Sequence, residues 1–294
     1  MTLGSNTTLD TNAATAAGDI TLGAVTGATF NLTLETGNAV AGADVTGTSV
    51  STTGTLGLQN IGGTASFTGN VTAGTLSVPV TVVNASFTGN GNTITTAFAP
   101  ANTGTLTLGT GGGTQTYNGG INTTGVGGLV TLNGTIATSG DVIDMGAITL
   151  GSNTSLDTTA GGNPAGANLT TGAVTGATFD LSLNAGTGGT LTHGALANVG
   201  ALSVGASSYN FGGGTFNSLA INVQNALTVT APATTTGAMS LTGGSVTVNA
   251  GSTLTAGDNI SLFATNSAAG DVTVNANIVE TGAAGKTLEV RANN

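Results

Sequence analysis

Residues 2–10 read TLGSNTTLD and return at 149–157 as TLGSNTSLD, and GAVTGATFNLTL at 23–34 returns as GAVTGATFDLSL at 172–183. The first pair is offset by 147 positions (Gly4 to Gly151) and the second by 149 (Phe30 to Phe179). Self-similarity of this kind is typical of chains built from stacked repeat units. We expect a single continuous domain over 1–294, with an internal duplication of 1–147 and 148–294 that is clearest at 2–34 versus 149–183.

The composition favours strands and turns and argues against a globular enzyme. Charged residues are 5% of the chain, against roughly 25% in average domains, while 38% are hydrophobic and 51 are Gly. That apolar content argues for a folded chain rather than a disordered one. Lys286 and Arg291 are the only Lys or Arg, so no basic patch can neutralise phosphates, and we expect no nucleic-acid partner. We likewise expect no membrane span, because no apolar run approaches ~18 residues.

Short runs of alternating apolar and small polar residues recur along the chain, each with the period of two that predicts a half-buried strand. They include 20–22, 30–34, 76–83, 106–108, 130–132, 219–223, 246–248, 260–262 and 272–274. Local near-repeats lie 18–22 residues apart, as between Thr131 and Thr149 or Phe67 and Phe87. The pattern predicts an all-β solenoid of roughly 15 coils, about 70 Å long, with no significant helix. An antiparallel sandwich or barrel is the alternative fold.

Short motifs typical of turns recur between the predicted strands. Gly-Asp precedes a strand four times, at 18–19, 140–141, 257–258 and 270–271, and Asn-Ala or Asn-Gly follows several others. Gly and Asn tolerate the left-handed backbone of tight corners, and Asp accepts local backbone hydrogen bonds there. We therefore interpret these motifs as the corners of the coils.

The corner motifs AAGDITL (16–22), TAGDNISL (255–262) and AAGDVTVNANI (268–278) resemble the repeat region of filamentous-haemagglutinin-type and related β-strand-repeat bacterial surface proteins. The resemblance covers the whole chain as a style of repeat. It implies a right-handed parallel β-helix at the bacterial cell surface or in the extracellular space. It also implies a role in adhesion, in a biofilm matrix or as the stalk of a contact-dependent toxin. The 294 residues depart from that family in that they include neither its amino-terminal secretion domain nor a toxin tip, and both could lie outside this segment.

No constellation of residues predicts catalysis, a cofactor or a metal, so we assign no catalytic, cofactor-binding or metal-binding residues. Polysaccharide-active β-helices need clustered acids, whereas the closest acids here, Asp141 and Asp144, would lie on opposite faces of one strand. Gly112-Gly113 and Gly212-Gly213-Gly214 lack the Asp of calcium-binding solenoid repeats. His193, the sole histidine, is interpreted as a surface or corner residue.

Two aromatic motifs and one threonine pattern have alternative interpretations. Tyr117 and Tyr209 are expected to fill the interior, the alternative being exposed contacts for a glycan. Thr-x-Thr pairs such as Thr105 and Thr107 are typical of ice-binding solenoids, but their irregular spacing argues against a ladder on one face.

The sequence thus favours a non-catalytic extracellular structural or adhesive rod, whose copies assemble end to end into a filament or sheath. The alternative is a stalk segment of a long secreted adhesin or contact-dependent toxin carrier, because the first strand starts in the middle of a repeat. The expected partners are further copies or adjoining segments of a longer chain, with glycans or a neighbouring cell surface as further candidates. A polysaccharide-active enzyme is the remote alternative.

Overall fold

The structure is a computed structural model and describes residues 1–12, 17–37, 42–266, 270–282 and 285–293. It is an all-β parallel solenoid of about 13 turns. Its only helix within the described residues is a single 3₁₀ turn, Ala160–Gly162. The strand ladders are parallel, which rules out the antiparallel sandwich. Ala16, Ala268 and Ala269 of the corner motifs lie outside the described residues.

The strands follow one another in coils, and most strands pair with their equivalent one coil earlier and one coil later. The strands up to residue 108 are β1 (Thr7–Asp10), β2 (Ile20–Leu22), β3 (Val25–Ala28), β4 (Leu32–Gly37), β5 (Val45–Gly47), β6 (Val50–Thr52), β7 (Thr55–Phe67), β8 (Val71–Ala73), β9 (Thr75–Ser77), β10 (Val82–Phe87), β11 (Thr93–Ile94) and β12 (Leu106–Leu108). The next are β13 (Thr114–Tyr117), β14 (Ile121–Asn122), β15 (Val130–Ala137), β16 (Ile143–Met145), β17 (Ile148–Asp157), β18 (Leu169–Thr171), β19 (Val174–Thr175), β20 (Leu181–Asn184), β21 (Leu191–His193), β22 (Leu196–Ala197) and β23 (Ala201–Ala206). The last are β24 (Tyr209–Phe211), β25 (Gly214–Phe216), β26 (Ser218–Val223), β27 (Ala226–Val229), β28 (Ala233–Thr235), β29 (Met239–Gly243), β30 (Ser245–Val248), β31 (Leu254–Ala256), β32 (Ile260–Ala264), β33 (Val272–Val274), β34 (Ile278–Glu280) and β35 (Leu288–Ala292).

Each coil has three sides, which we call walls 1, 2 and 3 in the order in which the chain visits them. Each wall has a column of inward side chains that fill the bore, because alternate residues of a strand point to opposite faces. Wall 1 begins with Ile20, Val45, Ala65, Ala85, Leu106, Val130, Ile148, Val174 and Leu196. Wall 2 begins with Val25, Val50 and Val71 and continues to Leu262 and Val290. Wall 3 includes Leu32, Leu56, Leu76, Ile121, Ile143, Leu169 and Leu191.

The coil count differs from the predicted 15 because the coils are longer than expected. Along wall 2 the partners run from Thr26 to Arg291 through 13 residues, an average of about 22 per coil. The predicted near-repeats are direct partners: Thr131 pairs with Thr149 and Phe67 with Phe87. Loops at the corners lengthen other coils, so the rod is about 60 Å long.

The duplicated stretches form equivalent pairs on different walls. Thr2 pairs with Thr26 on wall 2, whereas the equivalent Thr149 pairs with Thr175 on wall 1. The two copies are about 6⅔ coils apart, which is not a whole number. The second copy is therefore turned by one wall about the solenoid axis relative to the first.

The bore contains aromatic and polar side chains besides the aliphatic columns. Phe67, Phe87, Phe98 and Tyr117 form a series of ring contacts in the bore, with successive ring centroids 5.7, 6.2 and 5.3 Å apart, of which the first and last are stacked and the middle one is edge-to-face. Asn92 and Gln115 occupy inward positions of wall 2, and the Asn92 amide donates to Gln115 Oε1. Asn92 Oδ1 accepts the Val71 N–H at 2.7 Å, so this buried polar pair replaces missing backbone bonds.

Corner Asn and Asp side chains join successive coils. Asn6 Oδ1 accepts the N–H of Asn31 at 2.9 Å, and Asn31 Oδ1 accepts that of Thr55 at 2.8 Å. Asp19 accepts the Asp44 N–H in the same way at 2.9 Å. The predicted role of corner Asp as an acceptor of local bonds is therefore wrong for Asp19, whose partner lies one coil further on.

Candidate functional site

Two of the three walls are interrupted at the same level of the solenoid. On wall 3, β21 pairs only with the earlier β18, and the next strand, β24, pairs only with the later β27. On wall 1, β22 and β25 likewise lack pairing with each other. Wall 2 continues, because β23 and β26 pair over six residues, from Ala201–Ser218 to Ala206–Val223. We call this level the wall break.

The coil that follows the wall break is short and rich in aromatic residues. Leu202 and its partner Leu219 are 17 residues apart, against 20 and 21 for the next two coils. Tyr209, Phe211 and Phe216 all point into this coil, with successive ring centroids 6.0 Å apart. We attribute the break to these three rings, because they fill a bore that the preceding coil fills with the smaller side chains of Leu191, Leu196 and Val204.

A cleft of about 590 Å³ opens in wall 3 at the wall break. Its lining offers hydroxyl and amide groups, and none of its lining residues is an Asp, Glu, Lys or Arg. One side is the edge of β21, which has a strand partner on its other edge only. The polar lining residues are Thr190, Thr192, His193, Ser208, Tyr209 and Asn210.

His193 and Tyr209 form the floor of this cleft. His193 Nδ1 lies 2.6 Å from the carbonyl oxygen of Gly194, so the neutral ring is assigned its proton on Nδ1. The free Nε2 then accepts a hydrogen bond from the Tyr209 hydroxyl. Burial raises the pKa of Tyr209, so this hydroxyl stays protonated and donates.

His193 does not occupy the predicted surface or corner position. It is a half-buried residue of β21, in register with Thr171 and Met145, which are both buried on wall 3. The interpretation of Tyr117 and Tyr209 as interior residues agrees with the structure, since they are 1% and 3% exposed. A single histidine in an inward column has no sequence signal of its own, because only the register of its strand reveals it.

A second, smaller cleft of about 380 Å³ opens in wall 1 at the same level. Leu196 of β22 lines one side, and Thr215 and Phe216 of β25 line the other. The two clefts therefore flank the continuous wall 2 at the wall break.

The acids are scattered and mostly engaged with the backbone or with amides. Asp144 lies on β16 and accepts from the Asn122 amide at 3.3 Å, whereas Asp141 precedes that strand. Asp180 Oδ1 accepts the Ala201 N–H at 2.8 Å. Within the described residues, no three His, Cys, Asp or Glu side chains come together in a group that could hold a metal ion.

The irregular spacing of the Thr-x-Thr pairs does not prevent a ladder, contrary to the sequence argument. Wall 1 aligns one outward hydroxyl per coil in a column, because its corner loops absorb the differences in spacing. The column is Thr21, Thr46, Ser66, Ser86, Thr107, Thr131, Thr149 and Thr175. The column beside Thr105 continues with Leu129, Ala147 and Ala173, so the flat pair of threonine columns does not form.

The last described coil exposes part of an inward column. Leu288 and Val290 of β35 pair with Ile260 and Leu262, which are 1% and 0% exposed. Leu288 and Val290 themselves are 54% and 48% exposed. No helix in the part of the chain that the structure describes is long and apolar enough to cross a membrane.

Comparisons with protein-family models, curated proteins and solved structures find no match for the chain.

Proposed function

We propose that the chain is a non-catalytic structural or adhesive rod of filamentous-haemagglutinin style. The rod is displayed outside the cell, and its coils continue end to end onto a second copy. The observation that supports this is the unbroken pairing of wall 2 from Thr26 to Arg291. A ladder that keeps its register across a level where both other walls are interrupted favours a molecule whose role is axial continuity.

The exterior supports a structural role. The outward columns consist mainly of Thr, Ser and Asn, and the acids that catalysis would need are spread among separate corners. Asp19, Asp44 and Asp180 each accept a backbone N–H of the following coil. Their carboxylates thus contribute to coil stacking, which accounts for them without a reaction.

The exposed side chains of β35 support end-to-end continuation. A strand edge with unpaired N–H and C=O groups is a template for another parallel strand. Leu288 and Val290 would become buried under the next coil, at about 25 cal/mol per Å² of apolar area removed from water. A contact between unlike ends does not close on itself, so repetition of it produces a fibre.

Electron microscopy of the material as it comes from cells tests the proposal. We expect filaments with an axial repeat of about 60 Å, the length of one rod. The Leu288→Asp/Val290→Asp variant should not form filaments, because it places two charges in the stacking interface. Val279→Asp is the matched control, since Val279 is 40% exposed on the outer face of β34 and should leave filaments intact.

The second candidate function is a stalk segment of a long adhesin or toxin carrier, which the repeat style favours. In that case adjoining coils of the same chain cover β35. A thin fibre accounted for by one much longer chain, with only single short rods formed by the purified 294 residues, would support the stalk and overturn self-assembly.

A further inference from the structure

We propose that the cleft in wall 3 at the wall break binds a short neutral saccharide. This goes beyond the rod function, which needs no ligand. The cleft volume of about 590 Å³ lies within the range of small-molecule sites, roughly 300–1,000 Å³. The cleft opens where β21 and β24 have no strand pairing with each other.

The lining selects against charged ligands. None of its residues is an Asp, Glu, Lys or Arg, so an anionic or cationic group would lose hydration without gaining an ion-pair partner from these residues. The lining instead offers groups that both donate and accept, the hydroxyls of Thr190, Thr192 and Ser208 and the amide of Asn210. A polyol presents the same mixture of donors and acceptors without charge.

The cleft also has apolar surface beside these polar groups. Leu191, Ala195 and Leu196 lie among the lining residues, and the C–H face of a sugar ring can pack against them. An extended peptide is the less favoured ligand, because the edge of β21 is three residues long, about 10 Å. Such an edge allows few of the main-chain bonds on which strand addition depends.

His193 and Tyr209 act as positioning residues in this site. The two ring nitrogens of His193 and the hydroxyl of Tyr209 already have hydrogen-bond partners, in each other and in the carbonyl of Gly194. They fix the floor, and the groups left free for a ligand are those of the rim. Gly212 lies on the rim, and a Cβ at this position would have no neighbour within 4 Å. A large side chain can therefore be placed there without disturbing the backbone.

Ligand-observed NMR of the full chain tests the site. The probes are maltose, cellobiose, lactose and diacetylchitobiose, each added separately, with digalacturonate and a neutral threonine-rich pentapeptide as comparators. We expect saturation transfer to at least one neutral disaccharide and none to digalacturonate. Gly212→Trp should weaken that binding by at least about tenfold by filling the cleft, and Asn210→Ala should weaken it by about tenfold.

Gly23→Trp is the matched control, because Gly23 is also exposed and open around its Cβ but lies outside the cleft. It should bind as the unmodified chain does. Binding of none of the four disaccharides, unchanged affinity in Gly212→Trp, or binding of the pentapeptide alone would each overturn the proposal. Rod formation, followed by microscopy in the same samples, reports separately on the structural function.

Discussion

Where β18, β19 and β20 meet β21, β22 and β23, all three walls are paired, whereas one coil later only wall 2 is. The two levels differ in the size of the side chains that fill the bore rather than in the alternating pattern of their strands. The lower coil places Leu191, Leu196 and Val204 inward, and the upper one places Tyr209, Phe211 and Phe216 inward along with Ile221. A parallel solenoid can therefore keep the strands of one wall paired while the other two walls lose their pairing around large side chains in the bore.

The aromatic residues in the first half of the chain show that a ring in the bore does not by itself interrupt two walls at one level. Phe67, Phe87 and Tyr117 lie on walls 1 and 2 at successive levels, and the strands around them stay paired. Phe98, the fourth ring, lies on wall 3, where β9 pairs only with the earlier β7 and Phe98 makes a single bridge to Ile121. At the wall break three rings share one coil of 17 residues. Three rings in one coil, rather than one, thus accompany the loss of pairing on two walls at the same level.

The largest expected effect on stability comes from a substitution in wall 2, the one wall whose strands stay paired at the wall break. Ile221 is 1% exposed on β26, and Ile221→Asp places a charge in the bore at the level held by wall 2 alone. We expect destabilisation by several kcal/mol and loss of the coils from 207 onward before those up to 206. Hydrogen exchange with mass spectrometry along a denaturant series would show this order.

Asn222→Asp provides the matched control, because the neighbouring side chain points outward and is exposed. It should change the stability by less than about 0.5 kcal/mol. Simultaneous loss of both halves in Ile221→Asp would contradict the special dependence on wall 2.

A second prediction compares wall 3 below and at the wall break without any substitution. The Leu169 N–H donates to the carbonyl of Thr190 at 2.9 Å, whereas the next edge, that of β21, has no strand opposite. We expect the amides of Leu191 and His193 to exchange at least about tenfold faster than those of Leu169 and Thr171. Equal protection factors at these four positions, measured by NMR, would mean that the walls are closed in solution.

The sequence predicts strands well and their partners less well. The runs 20–22, 106–108 and 272–274 are strands with those bounds, because alternation within a strand is local. The wall break was not predictable in this way. Residues 209–216, YNFGGGTF, do form β24 and β25 as an alternating pattern would suggest, and only the pairing to the previous coil is missing. Pairing also depends on the side chains that the bore must hold, which is a property of the whole coil and not of one strand.

The sequence does not predict the cleft in wall 3 for the same reason. Thr190, Thr192, Ser208 and Asn210 are ordinary residues of a Thr- and Asn-rich chain, and the fold brings them together only because two strands fail to pair. The nearest signal in the sequence is the density of aromatic residues between 209 and 216 beside the sole histidine.

A third prediction concerns the hydrogen bond that bridges wall 3 at the break. Tyr209→Phe removes the hydroxyl that donates to His193 Nε2. His193→Met removes the acceptor and replaces it with a methionine, the residue that occupies the same inward column at Met145. A double-mutant cycle should give a coupling energy of about 1 kcal/mol. Additive effects in chemical denaturation would mean that the bond is not formed in solution.

The smallest expected effect on stability concerns the corner aspartates, which differ on the two sides of the wall break. Asp19 accepts a backbone N–H one coil on, whereas Asp258 accepts from its own neighbour Asn259 at 2.7 Å and pairs with Lys286 at 2.9 Å. The hydrogen bond from Lys286, followed by that from Asn259, holds the pKa of Asp258 below its ordinary value. A lowered pKa means that the carboxylate stabilises the fold above the ordinary pKa, about 3.9, and loses this effect as the pH falls below it.

Asp258→Asn should therefore speed amide exchange in β35 slightly at pH 7, and the difference from the unmodified chain should shrink towards pH 3. Lys286→Gln should reproduce both the sign and the pH dependence, because it removes the other member of the pair. The effect should be small, since both side chains are partly exposed and such surface pairs contribute little. Asn259 Oδ1 accepts the Thr287 N–H at 2.9 Å and holds the same coil independently of Asp258. A difference that stays constant from pH 7 to pH 3 would assign the stabilisation to the Asn259 corner rather than to the ion pair.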